Sequence, residues 1–340
     1  MQPSSRATIR DVAARAGVSV ATVSKVINQR YGVAADTIAR VQAVIEELGY
    51  EASLVAQSLR NNRTNVLGIL VADLEPFSTE LLKGCADTIR GSGFDLVVYS
   101  ASGRASDKVG WERRYLSRLS GTLIDGAILV TPTVVDAYYG APVVAVDQHT
   151  GPAELPTVDC DNLRGGQLAT EHLLELGHRR IATLTGRPDL LSAKLREQGY
   201  RQALEAAGVP VDEQLIQPGG YDPEISAVSA RRLLTGPNRP TAIFAANDLS
   251  AIATVEAALE LGLRVPEDLS VIGFDNIPES ALNSPPLTTV HQPIRQLGRQ
   301  AVELLIQLIR GEQPESTHLT LETSLLARQT TARLVSQPAE

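Results

Sequence analysis

Apolar and polar positions change rhythm along this chain, and each rhythm predicts a different kind of element. Ile9, Val12, Ala13 and Ala16 fall at i, i+3, i+4 and i+7, the apolar stripe of a short helix. Val23, Val26 and Ile27 repeat that spacing after Gly17-Val18-Ser19, and Ile38, Val41, Ile45 and Leu48 repeat it over Ala35–Leu48. From Val66 the pattern becomes continuous apolar runs: VLGILVA, FDLVVYS, GAILV, VVAVD, IATLT, AIFAA and SVIGFD, with helical spacing between them. Such runs alternating with helices predict buried parallel strands in α/β units. The expected architecture is an all-α head of three helices and an α/β body.

The helix ends carry signals of their own. Thr8 is placed to cap the first helix, with Asp11 in the role usually taken by Glu in a capping box. Gly17 stands where that helix must stop and the backbone needs φ > 0. Ser19 is placed to cap the second helix, whose outward residues are then Val20, Ala21, Thr22, Ser24, Lys25 and Asn28. That face is about as long as a major groove is wide. The turn has the length of a DNA-reading helix-turn-helix, but an ordinary helical hairpin fits the spacing too. Gly49 ends the third helix, and so small a core is marginal alone. Residues 54–60 form a short amphipathic segment before the polar run Asn61-Asn62-Arg63-Thr64.

Charge sharpens the division between head and body. The net charge is −8, yet residues 1–64 carry eight Lys/Arg against five Asp/Glu, and the remainder 23 against 34. A mildly basic head on an acidic body fits a nucleic-acid contact at one end. Cys85 and Cys160 lack metal-like spacing and read as buried thiols in a reducing compartment. No charged-then-apolar leader opens the chain, and no apolar run approaches the ~18 residues of a membrane span. The expectation is a soluble cytoplasmic protein with no membrane, metal or cofactor partner.

Candidate chemistry lies at the strand ends. Ligands in open α/β sheets bind beyond the carboxyl ends of strands, where Asp73, Asp147, Asn247-Asp248 and Asp275 stand. These groups accept hydroxyl donors from a polyol; Arg196 could supply a fork, and Phe77 and Tyr221 flat apolar faces. Any single strand-end Asp is as often a helix cap or turn former, and Asp248, before an apolar helix, reads as a cap. His149 is either a ligand selector or a surface-loop histidine. Trp111, in WERRYLSRL, reads as packing or a dimer contact. No GxGxxG sits at a strand-to-helix turn, and GxSxG, HExxH, a Cys/His pair and a P-loop are missing. Two carboxylates could imitate a glycosidase pair, but with an arginine between them they read as acceptors of sugar hydroxyls, so no enzyme is expected.

Three stretches, TIRDVAARAGVSVATVSKVIN, YGVAADTIARVQAVIEELGY and LVAQSLRNNRTNVLGIL, closely resemble the DNA-binding headpiece of the lactose-repressor/galactose-repressor family of bacterial transcription regulators. The likeness continues in blocks to about Arg328. It implies a headpiece over 1–64 with a hinge helix at 54–60, and an effector-binding and dimerisation domain over 65–340. That domain would hold two doubly wound parallel-sheet subdomains of the periplasmic-binding-protein type I kind. Their expected bounds are about 66–162 with 292–320, and 163–291 with 321–334.

By the same resemblance DNA is met by Thr8, Ser19, Val20, Ala21, Thr22, Ser24, Lys25 and Asn28, and at the hinge by Val55, Ala56, Gln57, Leu59 and Arg60. Leu59 matches the family's apolar wedge in the minor groove. The Val20-Ala21 pair matches the galactose-repressor branch, while Lys25 departs from the usual Arg. Ala34 departs from the usual Ser before the third helix. The effector pocket would be lined by Asp73, Phe77, Asp147, Arg196, Tyr221, Asn247, Asp275 and Gln292. The tail after Arg328 has no apolar heptads, so a homodimer is expected. The implied protein represses carbohydrate-utilisation genes from a pseudo-palindromic operator and is released by a sugar-like effector. A corepressor-dependent regulator (purine or phosphoprotein partner) and a sugar-binding protein without a DNA role remain open.

Overall fold

The structure, a computed structural model, describes residues 7–27, 31–50, 63–101, 110–120, 123–133, 140–148 and 155–334. It divides into two compact units, Met1–Thr64 and Asn65–Glu340.

The first unit holds α1 (Ile9–Ala16), α2 (Val20–Ile27) and α3 (Ala35–Leu48). The Thr8 hydroxyl accepts the Asp11 N–H at 3.4 Å and Asp11 accepts the Thr8 N–H at 2.8 Å, so the capping box closes with Asp in place of Glu. Gly17 takes φ 67° and ends α1. Ser19 Oγ accepts the Thr22 N–H at 3.1 Å and starts α2. The predicted stripes meet around Val12, Ala16, Val23, Val26 and Val41. Val44, which the i, i+3, i+7 spacing passed over, is buried among them, while Ile38, Ile45 and Leu48 pack at the margin. Ala34 makes no side-chain cap on α3.

The second unit is built on two six-stranded sheets. Its strands are β1 (Val66–Val71), β2 (Asp95–Ser100), β3 (Gly126–Val130), β4 (Val143–Val146), β5 (Thr157–Cys160), β6 (Ile181–Thr185), β7 (Ile216–Pro218), β8 (Ala242–Ala245), β9 (Ser270–Asp275), β10 (Thr288–His291), β11 (His318–Leu321) and β12 (Ser324–Leu326). The sheets run β11-β5-β4-β3-β1-β2 and β12-β10-β9-β8-β6-β7. All pairings are parallel except β10 with β12. The helices are α4 (Pro76–Ile89), α5 (Trp111–Leu119), α6 (Asn162–Glu175), α7 (Leu191–Ala206), α8 (Pro223–Leu234), α9 (Asp248–Glu260), α10 (Pro278–Leu282) and α11 (Ile294–Arg310). The expected doubly wound α/β body is therefore present.

The chain passes between the two halves three times. After β5 it enters α6, which packs on the second sheet; after β10 it returns to the first in α11; and between β11 and β12 it crosses again. Leu297, Ala301, Val302 and Leu305 of α11 join Leu67, Ile69, Ile128 and Val144 in one core. Two glycines let α11 and α4 touch. A Cβ on Gly84 would lie 2.0 Å from the Arg295 carbonyl, and one on Gly298 2.3 Å from that of Leu81.

Burial departs from expectation at one strand. FDLVVYS reads as a buried run, but β2 is the edge of its sheet, and Val97 and Val98 are 41% and 40% exposed. Trp111 is fully buried in a core with Leu70, Leu116 and Leu129.

Candidate functional site

Two surfaces bring together the residues singled out in the sequence. On the helical unit, Val20, Ala21 and Lys25 project outward from α2, with Thr22 and Ser24 half-buried beside them. The Ser19 and Thr22 hydroxyls lie 2.9 Å apart at the start of the helix, and Thr8 stands at the start of α1. Asn28 and the hinge residues Val55, Ala56, Gln57, Leu59 and Arg60 lie outside the described residues.

The second surface is a cavity of about 290 Å³ at the carboxyl ends of the strands of both sheets. Asp73, Phe77, Asp147, Arg196, Tyr221, Asn247, Asp275 and Gln292 all line it. The first two follow β1 and Asp147 follows β4; Arg196 projects from α7, and the rest follow or end β7, β8, β9 and β10. His149 lies outside the described residues.

Arg196 organises the floor. Its Cζ sits 3.6 Å from the Phe274 ring centroid and 5.5 Å from that of Tyr221. Nε donates to Asn162 Oδ1 at 2.8 Å, and Nη1 to the Ala246 carbonyl at 2.5 Å and to Asp275 Oδ1 at 3.4 Å. Gln292 Nε2 also donates to Asp275, at 2.5 Å. Burial raises the Asp275 carboxyl well above its ordinary range, against the pull of Arg196. Tyr221 closes one side, and only glycine fits beneath it, because a Cβ on Gly186 would stand 2.3 Å from the ring. Its hydroxyl lies 3.0 Å from that of Ser192, which donates to Asp147 Oδ2 at 3.0 Å. The Leu191 N–H donates to the Gln148 carbonyl at 3.1 Å, a second bond between the two halves at this point.

Asn247, not Asp248, caps α9. Its Oδ1 accepts the Ser250 N–H at 3.0 Å, while Nδ2 reaches the Tyr221 carbonyl at 3.4 Å. Asp248 is fully buried one residue further on, accepting the Thr289 hydroxyl at 2.5 Å and the Ile277 N–H at 2.9 Å. It ties α9 to β10 and to the loop that follows Asp275. Burial pushes its carboxyl up to about 7.

Ser192, Phe274 and Asp159 shape the site without having been singled out. Phe274 sits inside an apolar run, Ser192 on a helix with no distinguishing spacing, and Asp159 on a strand too polar to register as one. Among the described residues no group of three or more His, Cys, Asp and Glu side chains is arranged for a metal ion. None of the described helices is long and apolar enough to cross a membrane.

Chemically the cavity offers carboxylate acceptors, one stacked guanidinium and two aromatic faces, the groups that a polyhydroxylated ring uses. Comparison with known proteins matches the two parts of the chain to two family models. Residues 8–53 match the family model described as bacterial regulatory proteins, lacI family, and residues 170–331 that of a periplasmic binding protein-like domain. The chain is 36% identical over 335 residues to the HTH-type transcriptional repressor PurR of Yersinia pestis (strain Pestoides F), covering 96% of this chain and 97% of that protein. Among solved structures, a transcriptional regulator CelR–cellobiose complex superposes with a TM-score of 0.70 at 35% identity, over 96% of this chain and 100% of the other. A lac repressor dimer bound to operator and the anti-inducer ONPF gives 0.83 at 30% identity, over 96% and 99%.

Proposed function

This chain belongs to the lacI family of bacterial regulatory proteins, and from that premise we infer how its two surfaces divide the work of a DNA-binding transcriptional repressor. The outward face of α2 reads the major groove of a pseudo-palindromic operator, and the cavity binds a small sugar-like effector. Two copies bind DNA together, as in the lac repressor dimer on its operator, and the protein acts in the cytoplasm.

The observation that carries the effector reading is the convergence of Asp147, Asp275 and Arg196 with the Tyr221 and Phe77 rings around one cavity. Residues from both halves line it, so a ligand that fits the closed arrangement shifts the population toward it. Such a ligand regulates DNA binding only through its different affinity for the two arrangements. We assign 1–64 to DNA binding and the rest to effector binding and dimerisation, with residues 54–60 as the coupling segment.

A purine corepressor is the second reading, favoured by the 36% identity to PurR and by the two aromatic rings at the cavity. The experiment that separates them is a thermal-shift screen of pentoses, hexoses, disaccharides and nucleobases, followed by mobility shift on a selected operator. A sugar that raises Tm and releases the operator supports the first reading. A purine that raises Tm and tightens operator binding replaces it with the second.

A further inference from the structure

Behind Asp147 lies a second carboxylate. Asp159, on β5, accepts the Gln148 backbone N–H at 3.3 Å, and the neighbouring Asp147 N–H favours its charged form. It thereby holds a turn in which Asp147 takes φ 58°, a conformation that L-residues other than Asn and Asp rarely adopt. So held, Asp147 accepts the Ser192 hydroxyl at Oδ2, while Oδ1, buried, has no hydrogen-bond partner among the described residues.

Among the described residues no guanidinium bonds to that oxygen. Arg187 is engaged by Asp189 at 2.6 Å, and Arg196 directs Nε and Nη1 to Asn162, Ala246 and Asp275. A buried acceptor left this way is costly until a donor reaches it. Asp73, Glu75, Asp222 and Asp275 line the same cavity, where among the described residues the basic side chains are Arg187 and Arg196. Burial raises both Asp147 and Asp159 above the usual carboxylate range, Asp159 to about 7 with the charge of Asp147 adding to the effect.

We propose that Asp159 determines specificity: by holding the Asp147 turn and placing a second carboxylate behind it, it makes this wall a subsite for hydrogen-bond donors that carry no negative charge. The ligand is then a neutral or amine-bearing monosaccharide, and not a phosphorylated or acidic one. This rests on the effector reading above and narrows it. The volume of about 290 Å³ agrees, lying at the small end for ligand pockets and suited to one sugar ring.

Isothermal titration calorimetry on the full chain tests this with aldopentoses, aldohexoses, 2-amino-2-deoxyhexoses, hexose 6-phosphates, hexuronates and the purine bases. The same panel is run on Asp159→Asn, Asp147→Asn and Arg196→Met. The wild-type chain is expected to bind a neutral or amino sugar at least about tenfold more tightly than its 6-phosphate or uronate. Asp159→Asn should narrow that ratio about tenfold, chiefly by admitting the acidic member. An amino sugar preferred over its parent identifies an ammonium as the donor; equal binding identifies a hydroxyl.

The proposal is overturned by an acidic sugar binding as well as its parent, by an unchanged ratio in Asp159→Asn, or by binding confined to purines or found for nothing. Each ratio comes from one preparation, so partial unfolding of a variant does not distort it. If Arg196→Met binds the sugar as well as the wild type, the pocket reading itself fails. If Arg196→Met abolishes binding while Asp159→Asn leaves the ratio unchanged, only the role of Asp159 fails.

Discussion

Arg196 is held on its face by Phe274 and along its edges by Asn162, Ala246 and Asp275. Removing the charge leaves the buried Asp275 carboxyl, among the described residues, with the Gln292 amide as its remaining side-chain donor. Arg196→Met should therefore lower the unfolding free energy by about 3–5 kcal/mol, as loss of one partner of a buried pair does, and urea denaturation measures it. Lys25 is the opposite case, an exposed cation outside the apolar core of the helical unit. Lys25→Ala should cost about 1–3 kcal/mol on the preferred operator and relax discrimination at one base per half-site. Mobility shifts against single-base operator variants decide this: equal weakening on every sequence makes Lys25 a phosphate contact. At this scale the sequence exposes what stands at the end of a long apolar run, which is why Asp73, Asp147 and Asp275 were legible. It hides Asp159, because Thr-Val-Asp-Cys has too little apolar character to mark a strand whose end could be inspected. It also misassigns the cap of α9, since Asn247 and Asp248 are equally good caps and only the Thr289 and Ile277 bonds to Asp248 separate them.

Among elements, α3 shows how a local choice weakens a small core. Ala34 already has the extended geometry of a capping residue, φ −65° and ψ 145°, but no oxygen to offer. Ala34→Ser should stabilise α3 by about 1 kcal/mol, seen as slower amide hydrogen exchange in its first turn. The segment 54–60 lies outside the described residues, and its part rests on sequence. Seven residues are too few for a helix to form unaided. Leu59→Ala should thus weaken binding to operators with a flexible central step while sugar binding stays unchanged, measured by mobility shift beside calorimetry; unaltered operator affinity removes the wedge role. The three head helices and the long central strands were legible because their apolar periods are sustained. β7, β10 and β12 were not: strands of three or four residues with Thr, Pro or Ser in them owe their place to the neighbours they pair with.

For the whole molecule, the buried carboxylates set a pH dependence. Asp159 and Asp248 are raised to about 7, and Asp147 and Asp275 are raised as well. Acids that hold their protons more firmly when folded stabilise the fold at low pH, and that contribution is lost as pH rises through the folded value. Tm of the ligand-free chain should accordingly fall from about pH 4, where the unfolded carboxyls ionise, to about pH 7, and Asp248→Asn should flatten the slope; scanning calorimetry across that range checks both. The three passages of the chain between the halves have a further consequence. A protease that nicks one crossing leaves the halves covalently tied by two others, so a single cut should release no free lobe. Deleting the stretch from β11 onward strips an edge strand from both sheets together. Neither half, then, is a cassette that recombination could lift out and exchange by joining one continuous piece of gene.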